Sequence, residues 1–486
     1  MAEDFDAFLL DNSAVRNVLV EVGHDSTTEY LSYRPYFDSV ANRVYSPVVI
    51  GSSVRITRKL GYQNLDGGLT FGDIELENTD GSLDSWLDFI WSNRAIEIAV
   101  GAVTWARADY VTKFIGVVEG IDSKSRNVLN IKVRDIMQRL NFPVTELKLG
   151  GSTDNKDELQ PLLFGECHNI TPLLTNPATL EYQFHQGNSE DAKEVRSNGI
   201  PASVSKNLSN GKFTPTVNPQ GTTITLSAQG DKPSGVWNTT VATIIQRLAT
   251  AFGNADNRLS VSDIDTSNFN SFDSANNQDI GVYFKTRQNL LVAVKDIAAS
   301  VGAQLLPSEL GKLQLHKVDL VSVGSISETI TANDVIDKSL KIVEMTEVEA
   351  AITLGYAKNW TVQNNLDSGL VQESKDSFAK EWLTVTKENS TVKASHKLDG
   401  EPRRIDTFLL SESEADTEAQ RQVDNFSTQR KIISFTGRAR LLNLEIGSWV
   451  TIQYPRFGMD AGVPGVVLRM TPDWIKSRVQ IDIVIR

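Results

Sequence analysis

The sequence predicts a mainly β protein carrying α+β modules, and three observations predict it. Two C-terminal segments alternate with period two. In 448–454, Val450, Ile452 and Tyr454 share one face and Thr451 and Gln453 the other; in 479–486, Val479, Ile481, Ile483 and Ile485 oppose Gln480, Asp482 and Arg486, Val484 being the one exception. A helix cannot hold that period. Near the N-terminus, seven short strands and two helical pieces crowd into about 140 residues, which points to a barrel or sandwich. In the middle, two amphipathic helices run into a hairpin, an α+β arrangement.

Taken in order, 18–22 alternates Val18, Val20 and Val22 against Leu19 and Glu21, and a polar turn leads to an extended segment at 30–33. Strands follow at 53–59 (Val54, Ile56) and 69–78 (Phe71, Ile74, Leu76) around a Gly67-Gly68 turn. The spacing of Leu83, Trp86, Leu87 and Ile90 predicts a brief helix over 83–91, and strands at 96–100, 110–119 and 128–134 end in a short helix at 136–140. Gly165, Pro172, Asn176 and Pro177 mark a turn-rich joint before a strand at 180–185. Short polar strands at 199–205, 212–217 and 222–227, separated by Asn210-Gly211 and by 219–221, suggest a small peripheral β module.

The most regular helix is 239–252, starting behind Asn238 as its cap, carrying Val241, Ile244, Ile245, Leu248 and Phe252 on one stripe, and stopped by Gly253. A second, 286–301, repeats the pattern with Leu290, Leu291, Val294, Ile297 and Val301 before Gly302. The hairpin 304–306/312–316 follows. Residues 254–279, poor in large apolar side chains, read as an exposed loop. Beyond it come strands at 326–331, a pair at 340–348 and 350–356, a helix at 413–429 with Ala415, Ala419, Val423 and Phe426 inward, and strands at 431–438 and 466–470. In the last of these Val466, Leu468 and Met470 point inward, and Pro455, Gly458, Gly462, Pro464 and Gly465 punctuate loops before it.

At 486 residues the chain has room for about three domains of roughly 100–200 residues each. No run of about 18 apolar residues suits a membrane span, and the acidic start at residues 1–4 is unlike a secretory signal, so synthesis and assembly in a cytoplasm are expected. One cysteine, Cys167, rules out an internal disulfide or a multi-cysteine metal centre within one chain, and five histidines give metal chemistry little support. A formal charge of −13 argues against broad nucleic-acid binding, which needs clustered Lys and Arg, but suits a channel through which DNA must slide without sticking.

Catalytic motifs are missing: the chain has no GxSxG, HExxH, Walker A or GxGxxG. Cys167-His168 is an adjacent thiol and imidazole, yet neighbours in extended backbone face opposite ways, and a buried structural cysteine is the better reading. Asp473-Trp474 and Glu381-Trp382 pair an acid with an aromatic as sugar subsites do, but 61 acidic residues make chance pairs abundant. Trp86, Trp91, Trp105, Trp237, Trp360, Trp382, Trp449 and Trp474 are dispersed, as core or interface anchors are. Asp256, Asp263, Asp265 and Asp273 do not fit a calcium-loop spacing. No catalytic, cofactor-binding or metal residue is assigned, and no cofactor is expected.

Two stretches nevertheless carry a family likeness. "LEIGSWVTIQYPRFG" with "GVVLRMTPDWIKSRVQIDIVI" resembles the C-terminal end of the baseplate hub (tail hub) proteins of tailed bacteriophages, and "SVRITRKLGYQNLDGGLTFGDIELENTDGSLDSWL" with "ADYVTKFIGVVEGID" resembles their N-terminal domain. "FGECHNITPLLTNPATLEYQFHQG" and "GYAKNWTVQ" are similar to joints of the same family. The resemblance covers most of 15–140, 164–187 and the ends of the C-terminal half, and brings no catalytic residue with it.

It implies two tube-like β-barrel domains with inserted small β and α+β domains: 1–142 an N-terminal tube-like barrel, 143–230 a small β domain, 231–325 an α+β domain, and 326–486 a second barrel with the C-terminal sheet. It further implies a non-enzymatic virion protein at the distal end of the tail tube. Such a hub is a homotrimer whose two barrels per chain continue a hexameric tube, with distal tail and tail tube proteins, the tape measure protein and central tip or fibre proteins as partners, and DNA passing through its lumen. The alternative is a β-rich carbohydrate-binding or adhesin-like module, which would bind a glycan column as an isolated chain; a cell-wall hydrolase would need a catalytic constellation the sequence lacks.

Overall fold

The computed structural model describes residues 4–11, 13–63, 65, 67, 71–219, 221–364 and 366–486. Expectations resting on 1–3, Gly68, 69–70 and Gln220 lie outside them. The described chain forms two compact units. One comprises 1–139, 304–347 and 429–486; the other comprises 140–303 and 348–428. The sequence reading divides the chain into four serial modules, whereas these contacts gather separated segments: the hairpin after 303 and the strands flanking 348–428 group with the N-terminal part.

In the first unit, strand Arg16–His24 pairs with Thr27–Ser32 on one side and Ala95–Ala102 on the other. The sheet continues through Val111–Ser125, Val128–Arg134 and Phe71–Glu77 to Arg55–Lys59. Residues 46–50 then close it. The Ser46 N–H donates to the Tyr30 carbonyl at 2.9 Å, and the Ser32 N–H to the Ser46 carbonyl at 2.8 Å; on the other side Ile50 donates to Glu75 and Glu77 to Val48, each at 2.8 Å. Thr27–Ser32 and Phe71–Glu77 are thereby bridged into a barrel, which satisfies edges that would otherwise be open to pairing. Val18, Val20, Val22, Ile74, Leu76, Ile98, Ile131 and Val133 fill it. Alternation sends Leu19 and Ala99 the other way, where Tyr36, Tyr45 and Tyr110 cover them under the hairpin Tyr36–Asp38/Arg43–Tyr45.

A second barrel uses the same device. Trp449–Tyr454, Met459–Asp473, Arg478–Ile485 and Lys431–Arg438 pair antiparallel in that order. Ile326–Thr331 lies parallel to Trp449–Tyr454, Val335 bridges Gly437, and Lys341–Met345 runs along Lys431–Arg438. The single segment 326–345 therefore passes from one side of the sheet to the other and closes it. The barrels are joined through backbone: Lys59 and Arg58 pair with Arg469 and Met470, and the Leu60 N–H donates to the Leu468 carbonyl at 2.7 Å. Among the described residues thirteen strands thus form one hydrogen-bonded sheet. Side chains reinforce the join, with Thr57 and Thr471 hydroxyls 2.9 Å apart, Arg55 on Asp473 at 3.1 Å and Arg58 on Glu309 at 2.8 Å.

Several expectations need correction here. Gly462, Pro464 and Gly465 lie inside the strand Met459–Asp473 and not in loops; a proline fits because its missing N–H is not required by the pairing with Thr451. Val484 and Val467 are buried like their neighbours, because their strands are covered on both faces. The helix predicted over 83–91 is a 3-10 turn, Asp84–Asp88; with three residues per turn its inward stripe shifts, so Trp86 is buried while Leu87 and Ile90 are exposed. A helix at Phe5–Leu10, capped at its C-terminal carbonyls by the buried Arg16 guanidinium, has no counterpart among the sequence expectations.

In the second unit a five-stranded sheet runs Ile200–Ala202, Ser189–Ser197, Ile224–Asp231, Leu162–Ile170, Gly281–Phe284. Leu163, Cys167, Ile170, Phe184, Val195, Phe213, Leu226 and Tyr283 pack into one core cluster. Helix Val241–Ala251 is capped by Thr240, not Asn238: its hydroxyl receives the Thr243 N–H while the Thr243 hydroxyl answers the Thr240 N–H. The stretch 254–279, expected as a loop, contains helix Thr266–Ala275, held by Phe269 and Phe272 beneath an otherwise polar surface and by the Asp265 cap. The strands predicted to pair at 340–348 and 350–356 have different partners: Lys341–Met345 takes Lys431–Arg438, and Ala351–Tyr356 takes Leu383–Glu388 and Arg403–Asp406. Helix Glu412–Phe426 covers one face of that three-stranded sheet with Ala415, Ala419, Val423 and Phe426.

Candidate functional site

The residues singled out in the sequence separate into structural and exposed ones. Cys167 points into the core cluster, where burial drives its thiol well above its ordinary range. Its neighbour Glu166 faces the other way, to Lys193 at 2.8 Å and Gln229 at 2.7 Å. His168, whose carbonyl accepts from the Trp360 N–H at 3.1 Å, is held below the ordinary histidine range by burial. Strand alternation keeps thiol and imidazole apart, so they share no proton.

The four aspartates lie in local turn and capping contacts. Asp263 accepts from the Ser260 N–H at 2.7 Å, Asp265 caps its helix, and Asp273 accepts from the Thr240 hydroxyl at 2.5 Å, while the Asp256 N–H donates to Asn254 at 2.9 Å. Among the described residues no group of three or more His, Cys, Asp or Glu is placed to hold a metal ion. Asp473 and Trp474 are both buried, the carboxylate engaged by Arg55 and by the Lys476 N–H at 3.1 Å. Trp86 and Trp91 are also buried, and the other five tryptophans are half-buried.

Glu381 and Trp382 are different. Register places Thr353 beside Thr386 and Arg404, and Gly355 beside Thr384 and Asp406, on the face of the three-stranded sheet away from helix Glu412–Phe426. Trp382 lies against Gly355, where an added Cβ would come within 3.1 Å of the indole. Its Nε1 donates to the Thr407 carbonyl at 3.2 Å, which fixes the ring plane. The Lys358 ammonium sits 4.5 Å from the Trp382 ring centroid and 4.3 Å from that of Trp360, which stacks on Phe408. Burial lowers the Lys358 ammonium below its ordinary range although Glu381 lies 3.8 Å away. Arg404 pairs with Asp406 at 2.8 Å. The result is an open groove of about 840 Å³ lined by Tyr356, Lys380, Glu381, Trp382, Thr384, Arg404 and Asp406 among others. The sequence flags its acid and indole; Arg404 and Asp406 arrive by a parallel pairing across some fifty residues, for which no local signal exists.

Two further surfaces belong to the first unit. The hairpin Tyr36–Asp38/Arg43–Tyr45 carries Phe37, Val40 and Val44 outward, Val40 being 90% exposed. Strand Lys341–Met345 leaves Val343 and Met345 exposed.

No family model matches the chain, and no curated protein does. Solved structures similar to it include phage and prophage tail proteins. One is the tail protein from Neisseria meningitidis MC58, 10% identical, with 97% of this chain and 96% of that chain covered and a TM-score of 0.45. A second is the 43 kDa tail protein of prophage MuSo2 from Shewanella oneidensis, 10% identical over 97% and 98%, TM-score 0.42. A third is prophage tail protein gp18 from Listeria monocytogenes EGD-e, 10% identical over 96% and 94%, TM-score 0.42.

Proposed function

We propose that this chain is a structural virion protein, the hub of a phage baseplate or tail tip, which closes the distal end of the tail tube and adapts its sixfold symmetry to a threefold tip. The observation that carries the reading is the pair of closed barrels fused into one sheet within the first unit. A trimer of such chains presents six barrels, the number a hexameric tube requires, and a closed ring is the usual end point of a heterologous interface. The resemblance of both chain ends to the hub family supports it independently.

In this reading the partners are tail tube and distal tail proteins above, the tape measure protein within, and central tip or fibre proteins below. The protein is assembled in the host cytoplasm, resides in the virion and has no enzymatic role of its own. Exposed Phe37, Val40 and Val44 would be contacts in that assembly. Native mass measurement of the isolated tail tip tests the proposal: three copies per particle are expected, and six copies, or one, would overturn it.

A further inference from the structure

We propose that the groove over strands Ala351–Tyr356, Leu383–Glu388 and Arg403–Asp406 binds an uncharged oligosaccharide. A sugar ring offers an apolar C–H face bordered by hydroxyls that both donate and accept. A site made for it needs an aromatic plane held still, ringed by polar groups of both kinds. Trp382 is held by its bond to Thr407 and by contact with Gly355. Around it stand acceptors, Glu381 and Asp406, and donors, Lys380 and Arg404, with the exposed hydroxyl of Thr384.

The charges argue for a neutral ligand. The lining carries two cations, Lys380 and Arg404, and two anions, Glu381 and Asp406, with Arg404 paired to Asp406, so its formal charges cancel and neither an anion nor a cation meets a net opposite charge along it. The paired groups keep further lone pairs and N–H bonds for hydroxyls, since a carboxylate has about four acceptor positions and a guanidinium five donors. A volume of about 840 Å³ lies within the range of small-molecule sites and admits more than one sugar ring. Gly355 leaves room for the lining: an added Cβ would come 2.5 Å from Asp406 Oδ1 and 3.1 Å from the Trp382 ring, crowding both. The groove lies wholly in the second unit and the inference does not rest on the hub reading.

The test titrates the full chain with N-acetylchitotetraose, cellotetraose and maltotetraose by calorimetry and saturation-transfer NMR, with sialyllactose as the anionic control. At least one neutral tetrasaccharide should bind with a Kd below about 10 mM, the weak range in which few contacts suffice, and Trp382→Ala should weaken it at least tenfold. Because Trp382 also packs against the sheet, Thr384→Arg supplies the second variant: it blocks the groove from an exposed position, should leave the circular dichroism unchanged, and should weaken binding to the same extent. The proposal is overturned if no neutral probe binds, if both variants bind like wild type, or if sialyllactose binds more tightly than every neutral probe.

Discussion

Replacing Tyr45 with phenylalanine should make the first unit less stable at neutral pH and make that deficit vanish in alkali. The Tyr45 ring is fully enclosed; its hydroxyl donates to Glu21 Oε1 at 2.7 Å, and the same oxygen receives Arg107 Nε at 2.8 Å. Burial, followed by the hydrogen bond to Glu21, pushes the phenol from 10.0 up to about 12. Between those values the unfolded chain has lost the proton that the folded chain keeps. Stability from this group is therefore complete below pH 10 and falls as pH rises toward 12. At about 1.4 kcal/mol per pH unit, wild type loses about 1.4 kcal/mol by pH 11 through Tyr45 alone. The phenylalanine variant has no such loss. At pH 8 it lacks a hydrogen bond to a charged acceptor, which costs about 1.5 kcal/mol, the low end of the range, because Arg107 still satisfies Glu21. Other raised tyrosines, such as Tyr110, are common to both chains and largely cancel. Urea unfolding followed by circular dichroism at pH 8 and pH 11 should show a gap of about 1.5 kcal/mol closing to near zero. A gap that stays constant or widens at pH 11 would refute the reasoning.

Four other outcomes are expected. Gln304→Leu strands the Gly61 and Gly67 N–H groups and the Gly61 carbonyl, now bonded at 2.8, 2.9 and 2.7 Å, and should cost about 3 kcal/mol in urea unfolding; a cost under about 0.5 kcal/mol would show that water replaces the side chain. Gly165→Ala places a Cβ 1.7 Å from the Ile280 carbonyl oxygen at a φ of +63°, and should reduce soluble yield and lower the melting temperature, which an unchanged melt would contradict. Cys167 should resist a disulfide reagent at pH 8 until the chain unfolds, so prompt labelling of native protein would contradict its burial. In an image of the assembled ring, the lumen should carry more Asp and Glu than Lys and Arg, following from the −13 charge of each chain; a bore lined mainly by Lys and Arg would break the link between net charge and DNA passage.

The elements legible in the sequence are those buried on one face. Val450, Ile452 and Tyr454 alternate because water lies on the other side of their strand, and the stripe of Val241, Ile244, Ile245 and Leu248 survives for the same reason. Leu162–Ile170 reads as a joint because it is central, buried almost throughout, and interrupted by Gly165 and by Asn169 at φ +53°, so no alternation marks it. Helix Thr266–Ala275 escapes the apolar pattern because two phenylalanines suffice to anchor it. In the groove, only Glu381-Trp382 stands out in the sequence. Lys358, Arg404 and Asp406 reach it through strand pairing and loop course, which one-dimensional patterns do not record.

The closure of the second barrel by residues 326–345 sets a schedule for synthesis. Strand Arg478–Ile485 lies between Met459–Asp473 and Lys431–Arg438, so the barrel opened by Ile326–Thr331 stays incomplete on the ribosome until Ile485 has emerged. The first barrel, drawn from 16–134 alone, can close long before. A nascent chain, or one truncated before Ile485, would then carry one finished barrel and one set of unpaired strands. The order of the strands thus sets the order of completion: both barrels are whole only in a chain translated through Ile485.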